Sequence, residues 1–128
     1  EFFFRGYLQQ AIGSLAGRAW VGVACSSLVF AIFHGDQNVA LFAHRLGFGL
    51  IAGTLVWATG GLEAAIAVHV ANNVFAFGYA LFTGGVATLK ATSAISWEAA
   101  CSDLASFAVF GALAWWIGRR MHVATLTP

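Results

Sequence analysis

Residues 39–59 read VALFAHRLGFGLIAGTLVWAT, a run interrupted in its apolar character chiefly by His44-Arg45 and followed by Gly60-Gly61. A helix needs about 20 mostly apolar residues to cross a bilayer, so this run predicts a membrane span. Working outward, residues 62–82 form a second such run after the double glycine. Residues 19–34 form another before it, separated from it by Gly35-Asp36-Gln37-Asn38, a cluster of turn formers. Residues 97–118 make a further span that ends in Trp115-Trp116 and Arg119-Arg120. Indole rings favour the headgroup zone and arginines the cytoplasmic side, which suits a span ending there. Residues 1–15 read as a partial helix closed by Gly17-Arg18, and residues 83–96 as a loop carrying a short interfacial helix. The expected fold is all-α, a polytopic transmembrane helical bundle of about four full spans plus one partial N-terminal helix.

Composition supports the same class. Of 128 residues, 60% are apolar and 9% charged, against about 45–50% and about 25% in ordinary soluble domains. So few charges cannot cover the surface of a soluble domain of this size. Fifteen glycines and a single proline fit helices that approach closely in lipid. A net charge of +1 without any Lys/Arg run excludes nucleic acid as a partner. Cys25 and Cys101 make neither a disulfide framework nor a metal knuckle and read as packing residues. If the C-terminus is cytoplasmic, Arg18 shares its side, with Lys90 opposite and Arg45 near that opposite side.

A charged side chain at mid-membrane costs about 2.5–3.5 kcal/mol on insertion scales, so such residues tend to line cavities and carry function. Glu1 with Arg5, Phe30 with His34, and His69 with Asn73 each stand four residues apart. That interval places each pair on one helical face, with Cβ atoms about 5–6 Å apart. Three helices therefore offer polar groups to one interior, and Arg5 is the natural counter-ion of a buried Glu1. The chemistry such groups support is attack of water on an amide. A carboxylate and a histidine take the proton of water, while an asparagine and a second histidine donate to the developing oxyanion. Simpler readings suit the remaining polar residues. Asn72 serves as packing glue between helices, His44 and Arg45 reach toward headgroups or the loop at Asp36, and Glu63 complements the dipole of its helix.

These residues resemble a known family. Glu1-Phe2-Phe3-Phe4-Arg5-Gly6-Tyr7-Leu8-Gln9 is similar to the end of the first motif of the CAAX protease and bacteriocin-processing (CPBP, or Abi) family, a Glu-Glu pair followed by three residues and Arg. Phe30-Ala31-Ile32-Phe33-His34 resembles its second motif, and His69-Val70-Ala71-Asn72-Asn73, preceded by Thr59-Gly60-Gly61-Leu62, its third. The resemblance covers residues 1–77 and leaves the last fifty as a generic final helix. It implies a glutamate-dependent intramembrane endopeptidase of the CAAX prenyl protease type, working without a cofactor. Relatives of that type remove the last three residues of prenylated CAAX proteins.

Carried over, His34 helps a glutamate activate water, while His69 and Asn73 hold the oxyanion. Glu1 takes the place of the second motif glutamate, and the first would precede residue 1. Residues 1–128 are accordingly expected to be the C-terminal part of one CPBP/Abi-like transmembrane domain, N-terminally truncated. Partners expected are the lipid bilayer and a peptide or protein substrate, in a bacterial cytoplasmic membrane. Two alternatives accompany this reading: a zinc protease with His34, His69 and Glu1 as ligands, and a non-catalytic membrane scaffold or bacteriocin-immunity protein. A shared site requires His34 and His69 to be level, although the spans put them toward opposite ends of their helices.

Overall fold

The computed structural model describes residues 1–83, 85 and 92–123. The interfacial helix expected within 83–96, and Lys90 with it, lies outside them. Five helices are described: α1, π-wound over Phe2–Leu8 and α-helical over Gln9–Leu15; α2, Ala19–Ile32; α3, Val39–Thr59; α4, Glu63–Thr83; and α5, Trp97–Arg120. The fold is an all-α bundle. Of these helices, α3, α4 and α5 are long and apolar enough to cross a membrane. The second span is shorter than its apolar run suggested, because α2 has 14 residues and stops at Ile32. Those residues rise about 21 Å, against a hydrocarbon core of about 30 Å.

Local chemistry sets the ends. The Asn38 side chain accepts a hydrogen bond from Leu41 N and starts α3, and Gly60 ends it in the left-handed region at φ 72°. Left-handed backbone carries little strain in glycine, which lacks a Cβ. Ser96 caps α5 in the same way through Ala99 N. Asn38 also fastens the approach to α5, donating from Nδ2 to Ile95 O and from its backbone to Ser93 O.

The central element is α3, which packs against α1, α2, α4 and α5. Phe30, Phe48, Ala52, Leu55, Val56, Ala65 and Val68 form the buried core, with Phe4, Leu104 and Phe107 packed around it. Gly47 faces Leu104 and Gly111 faces Ile51, so α5 runs in the same direction as α3. The outer faces of α4 and α5 expose large apolar side chains, among them Val74, Phe75, Phe82, Val109 and Leu113. Soluble monomers rarely display such a contiguous apolar surface, whereas a bilayer covers it.

The junction of α1 with α3 depends on missing side chains. Arg5 Nη2 donates to Gly49 O at 3.2 Å, and one turn further along both helices Gln9 Nε2 donates to Gly53 O at 3.0 Å. A Cβ at Gly53 would lie 2.8 Å from Gln9 Oε1, and one at Gly49 would lie 2.9 Å from Ser27 Cβ. Glycine at both positions lets polar side chains of α1 reach carbonyls of α3 that would otherwise be shielded.

Candidate active site

Glu1 stands at the entrance to the π-wound turn, where its carbonyl accepts from both Arg5 N and Gly6 N, at 2.8 and 3.3 Å. Such i→i+5 winding is uncommon and recurs at functional sites. The Glu1 carboxylate joins α1 to α4. Its Oε1 accepts from His69 Nδ1 on α4 at 2.6 Å and from Arg5 Nη1 at 3.4 Å. Its Oε2 lies 3.4 Å from Arg5 Nε and, among the described residues, has no hydrogen-bond partner. One oxygen of a nearly buried carboxylate thus retains acceptor capacity. Arg5 is completely buried, at 0% exposure. A charge at such a place requires compensation, and Glu1, Gly49 O and the face of Phe30, 4.6 Å from the guanidinium carbon, provide it.

Phe30 is the common neighbour of the two histidines. Its ring centroid lies 4.5 Å from that of His34 and 6.1 Å from that of His69, while Phe48 stands 5.1 Å from His69 on another side. His34 follows the end of α2, and its Nδ1 donates to Phe30 O at 2.7 Å. In a neutral ring this bond leaves the lone pair on Nε2. His69 Nδ1 is committed to Glu1, so its Nε2 is the nitrogen left to meet a ligand. Although the two histidines stand toward opposite ends of their helices, both rings approach that of Phe30. His34 sits near the first turns of α3, where Arg45 Nη1 reaches its carbonyl at 3.4 Å.

Glu1, Arg5, His34 and His69 therefore gather around Phe30 and Phe48. Asn73 stands apart from this contact network. It is exposed, and its Oδ1 accepts from Asn72 Nδ2 at 3.4 Å. As residue i+4 to His69 it occupies the next turn of the same face of α4. Among the described residues, no group of three His, Cys, Asp or Glu is placed to hold a metal ion.

The neighbouring polar residues take simpler roles. Arg45 Nη1 donates to Gln37 Oε1 at 2.7 Å and so does reach the loop that holds Asp36. His44 turns the other way, with Nε2 3.6 Å from Asp103 Oδ2 on α5. Glu63 opens α4. Sequence reasoning did not single out Gln9, Phe48, Gly49 or Asp103. Gln9 and Gly49 carry a signal in hindsight, since a polar residue one turn from Arg5 belongs to the same face and a Gly-x-x-x-Gly spacing marks close helix approach.

No curated protein and no solved structure matches this chain. A family model does, over residues 1–75, the stretch that holds Glu1, Arg5, His34, His69 and Asn73. More than half of the chain is matched, and it belongs to the family described as type II CAAX prenyl endopeptidase Rce1-like.

Proposed function

We propose that the chain carries the α1, α2 and α4 part of an intramembrane endopeptidase centre that hydrolyses a peptide bond in a membrane-associated peptide or protein, in a bacterial cytoplasmic membrane. The observation that carries the reading is the 2.6 Å bond between Glu1 and His69, two ionisable groups from helices far apart in sequence, held in an otherwise apolar bundle. Ionisable residues in such surroundings mark function by default.

In this reading a motif glutamate and His34 Nε2 take the proton as water attacks the carbonyl carbon. His69, oriented through Nδ1 by Glu1, acts as an imidazolium with a proton on each ring nitrogen and donates from Nε2 to the developing oxyanion, and Asn73 supplies a second donor from the next turn. The C–N bond then breaks, and the proton passes to the leaving amine. Arg5 acts by holding Glu1 in place. No metal takes part.

Replacement of His69 by Ala in the full-length protein is expected to lower kcat by about 10²–10³-fold, the cost of losing one oxyanion donor. His34→Ala should cost about 10²–10⁴-fold, the usual worth of a general base. Membrane insertion should be unchanged in both, and undiminished cleavage by His69→Ala would overturn the reading. Strong chelators should leave cleavage intact, while a loss restored by Zn²⁺ would favour the zinc alternative.

A second reading has its own observation. The completely buried Arg5, tied to Glu1 and Gly49, fastens the bundle without any chemistry, as a scaffold or bacteriocin-immunity protein would require. Full-length protein that binds a membrane peptide with equal affinity before and after His69→Ala, and never cleaves it, would establish that reading instead.

A further inference from the structure

The end of α2 is held by a polar clamp whose members have no part in the reaction proposed above. Gly35 lies in the left-handed region at φ 74° and reverses the chain just past the helix. The reversal brings the Gln37 side chain back to α2, where its Nε2 donates to Ala31 O at 2.8 Å. From α3, Arg45 Nη1 donates both to Gln37 Oε1 at 2.7 Å and to His34 O at 3.4 Å. Gln37 and Arg45 are each half-buried. Asn38, the next residue, fastens the other side of the turn through Ser93 O and Ile95 O.

The last carbonyls of a helix lack partners within it, and here their allocation decides what the His34 ring does. In a continuing α-helix, Phe30 O would accept from His34 N, four residues on. His34 N instead lies 3.4 Å from Ala31 O, which leaves Phe30 O to the ring, bonded by Nδ1 at 2.7 Å. His34 is exposed, so packing does not enclose the ring, and this one bond sets both its direction and its tautomer. One more turn of helix would take Phe30 O from the ring and release both. The clamp opposes that turn at two points. Gln37 occupies Ala31 O, which Gly35 N would otherwise claim, and Arg45 draws His34 O toward α3. We infer that Gln37 and Arg45 are positioning residues for His34, holding the end of α2 unwound so that Nδ1 stays on Phe30 O and Nε2 keeps its lone pair, a role that rests on His34 being the base, as proposed above.

The first arm of the experiment needs no substrate. Full-length protein in detergent, with ¹⁵N-labelled histidine, reports by NMR which ring nitrogen carries the proton, and the His34 signal is the one that His34→Ala removes. In the parent it is expected in the Nδ1–H form. Gln37→Leu and Arg45→Met should each add the Nε2–H form, while Arg45→Lys, which keeps a donor, should retain the parent spectrum. A His34 signal unchanged in both Gln37→Leu and Arg45→Met would overturn the inference, whatever the protein cleaves. The second arm uses a farnesylated CAAX peptide, the substrate class of the matched family, as the cleavage probe. In Gln37→Leu and Arg45→Met, kcat should fall by about 10–10²-fold, as for a reacting group displaced by about 1 Å, with KM changed by less than about twofold. Added to His34→Ala, neither substitution should lower the residual kcat further, because both act through a ring that is no longer there. A further loss in that background would mark a structural role and overturn the inference. Undiminished cleavage by His34→Ala, with the tautomer result intact, would instead remove the base itself, and the catalytic meaning of the clamp with it.

Discussion

At the scale of single residues, the arrangement turns on a buried cation whose partners are fixed in number. Arg5 has Glu1, the Gly49 carbonyl and the Phe30 face and is closed off from solvent. Removing the cation leaves a nearly buried carboxylate with one partner fewer, and breaking buried pairs costs about 3–5 kcal/mol. Arg5→Met is expected to lower stability by that amount in thermal or denaturant unfolding in detergent, while Phe30→Leu should cost less, about 1–2 kcal/mol, by removing the ring face. An Arg5→Met variant as stable as the parent would show that the pair contributes nothing. Much of this site was legible in advance. Residues four apart share a helical face, so Glu1 with Arg5 was visible as a pair, whereas Asn73, read beside His69, stands apart from these contacts. The partners across helices were not visible. Phe48, Gly49 and Asp103 meet the site or its surroundings only through contacts between segments tens of residues apart, and no local periodicity encodes such contacts.

Among the elements, α3 was read with the same ends it has in the structure, because Asn38 and Gly60 are strong cap residues and the intervening run is apolar. The length of α2 was less legible. Its apolar run continues through Phe33, but the backbone leaves the helix there and the His34 ring bonds back to Phe30 O. A side chain competing for a helix carbonyl is a tertiary outcome that hydropathy does not reveal. The contact of α3 with α2 gives a test at this scale. Gly49→Ala places a Cβ 2.9 Å from Ser27 Cβ and 3.1 Å from its Cα, an overpacking expected to cost about 1–3 kcal/mol. Ser27→Gly removes the nearer of these atoms, so Gly49→Ala should cost less in that background. Because the two residues touch, their effects should be non-additive in a double-mutant cycle followed by unfolding. Strict additivity would mean that the two helices separate freely at this crossing.

For the whole molecule, direction along the membrane normal follows from the connections. Short links join α1 to α2, α2 to α3 and α3 to α4, so successive helices alternate in direction, and the pairing of Gly47 with Leu104 and Gly111 with Ile51 sets α5 along α3. One end of the bundle therefore holds Gly17-Arg18, Gly60-Gly61 and the Arg119-Arg120 terminus, and the other holds Asp36, Asn38 and Trp97. If α3, α4 and α5 each cross the bilayer, positions at these two ends face opposite aqueous compartments. Cysteine placed at Asp36 and at His122, in a chain whose Cys25 and Cys101 are replaced by Ser, should react with a membrane-impermeant maleimide from opposite sides. One should label in intact cells, and the other only after permeabilisation. A cysteine at Gly17 should follow the His122 position, because the same end of the bundle carries both. Labelling of Asp36 and His122 positions from one side would require an even number of crossings between them, and the bundle with three spanning helices could not then be the membrane-embedded form.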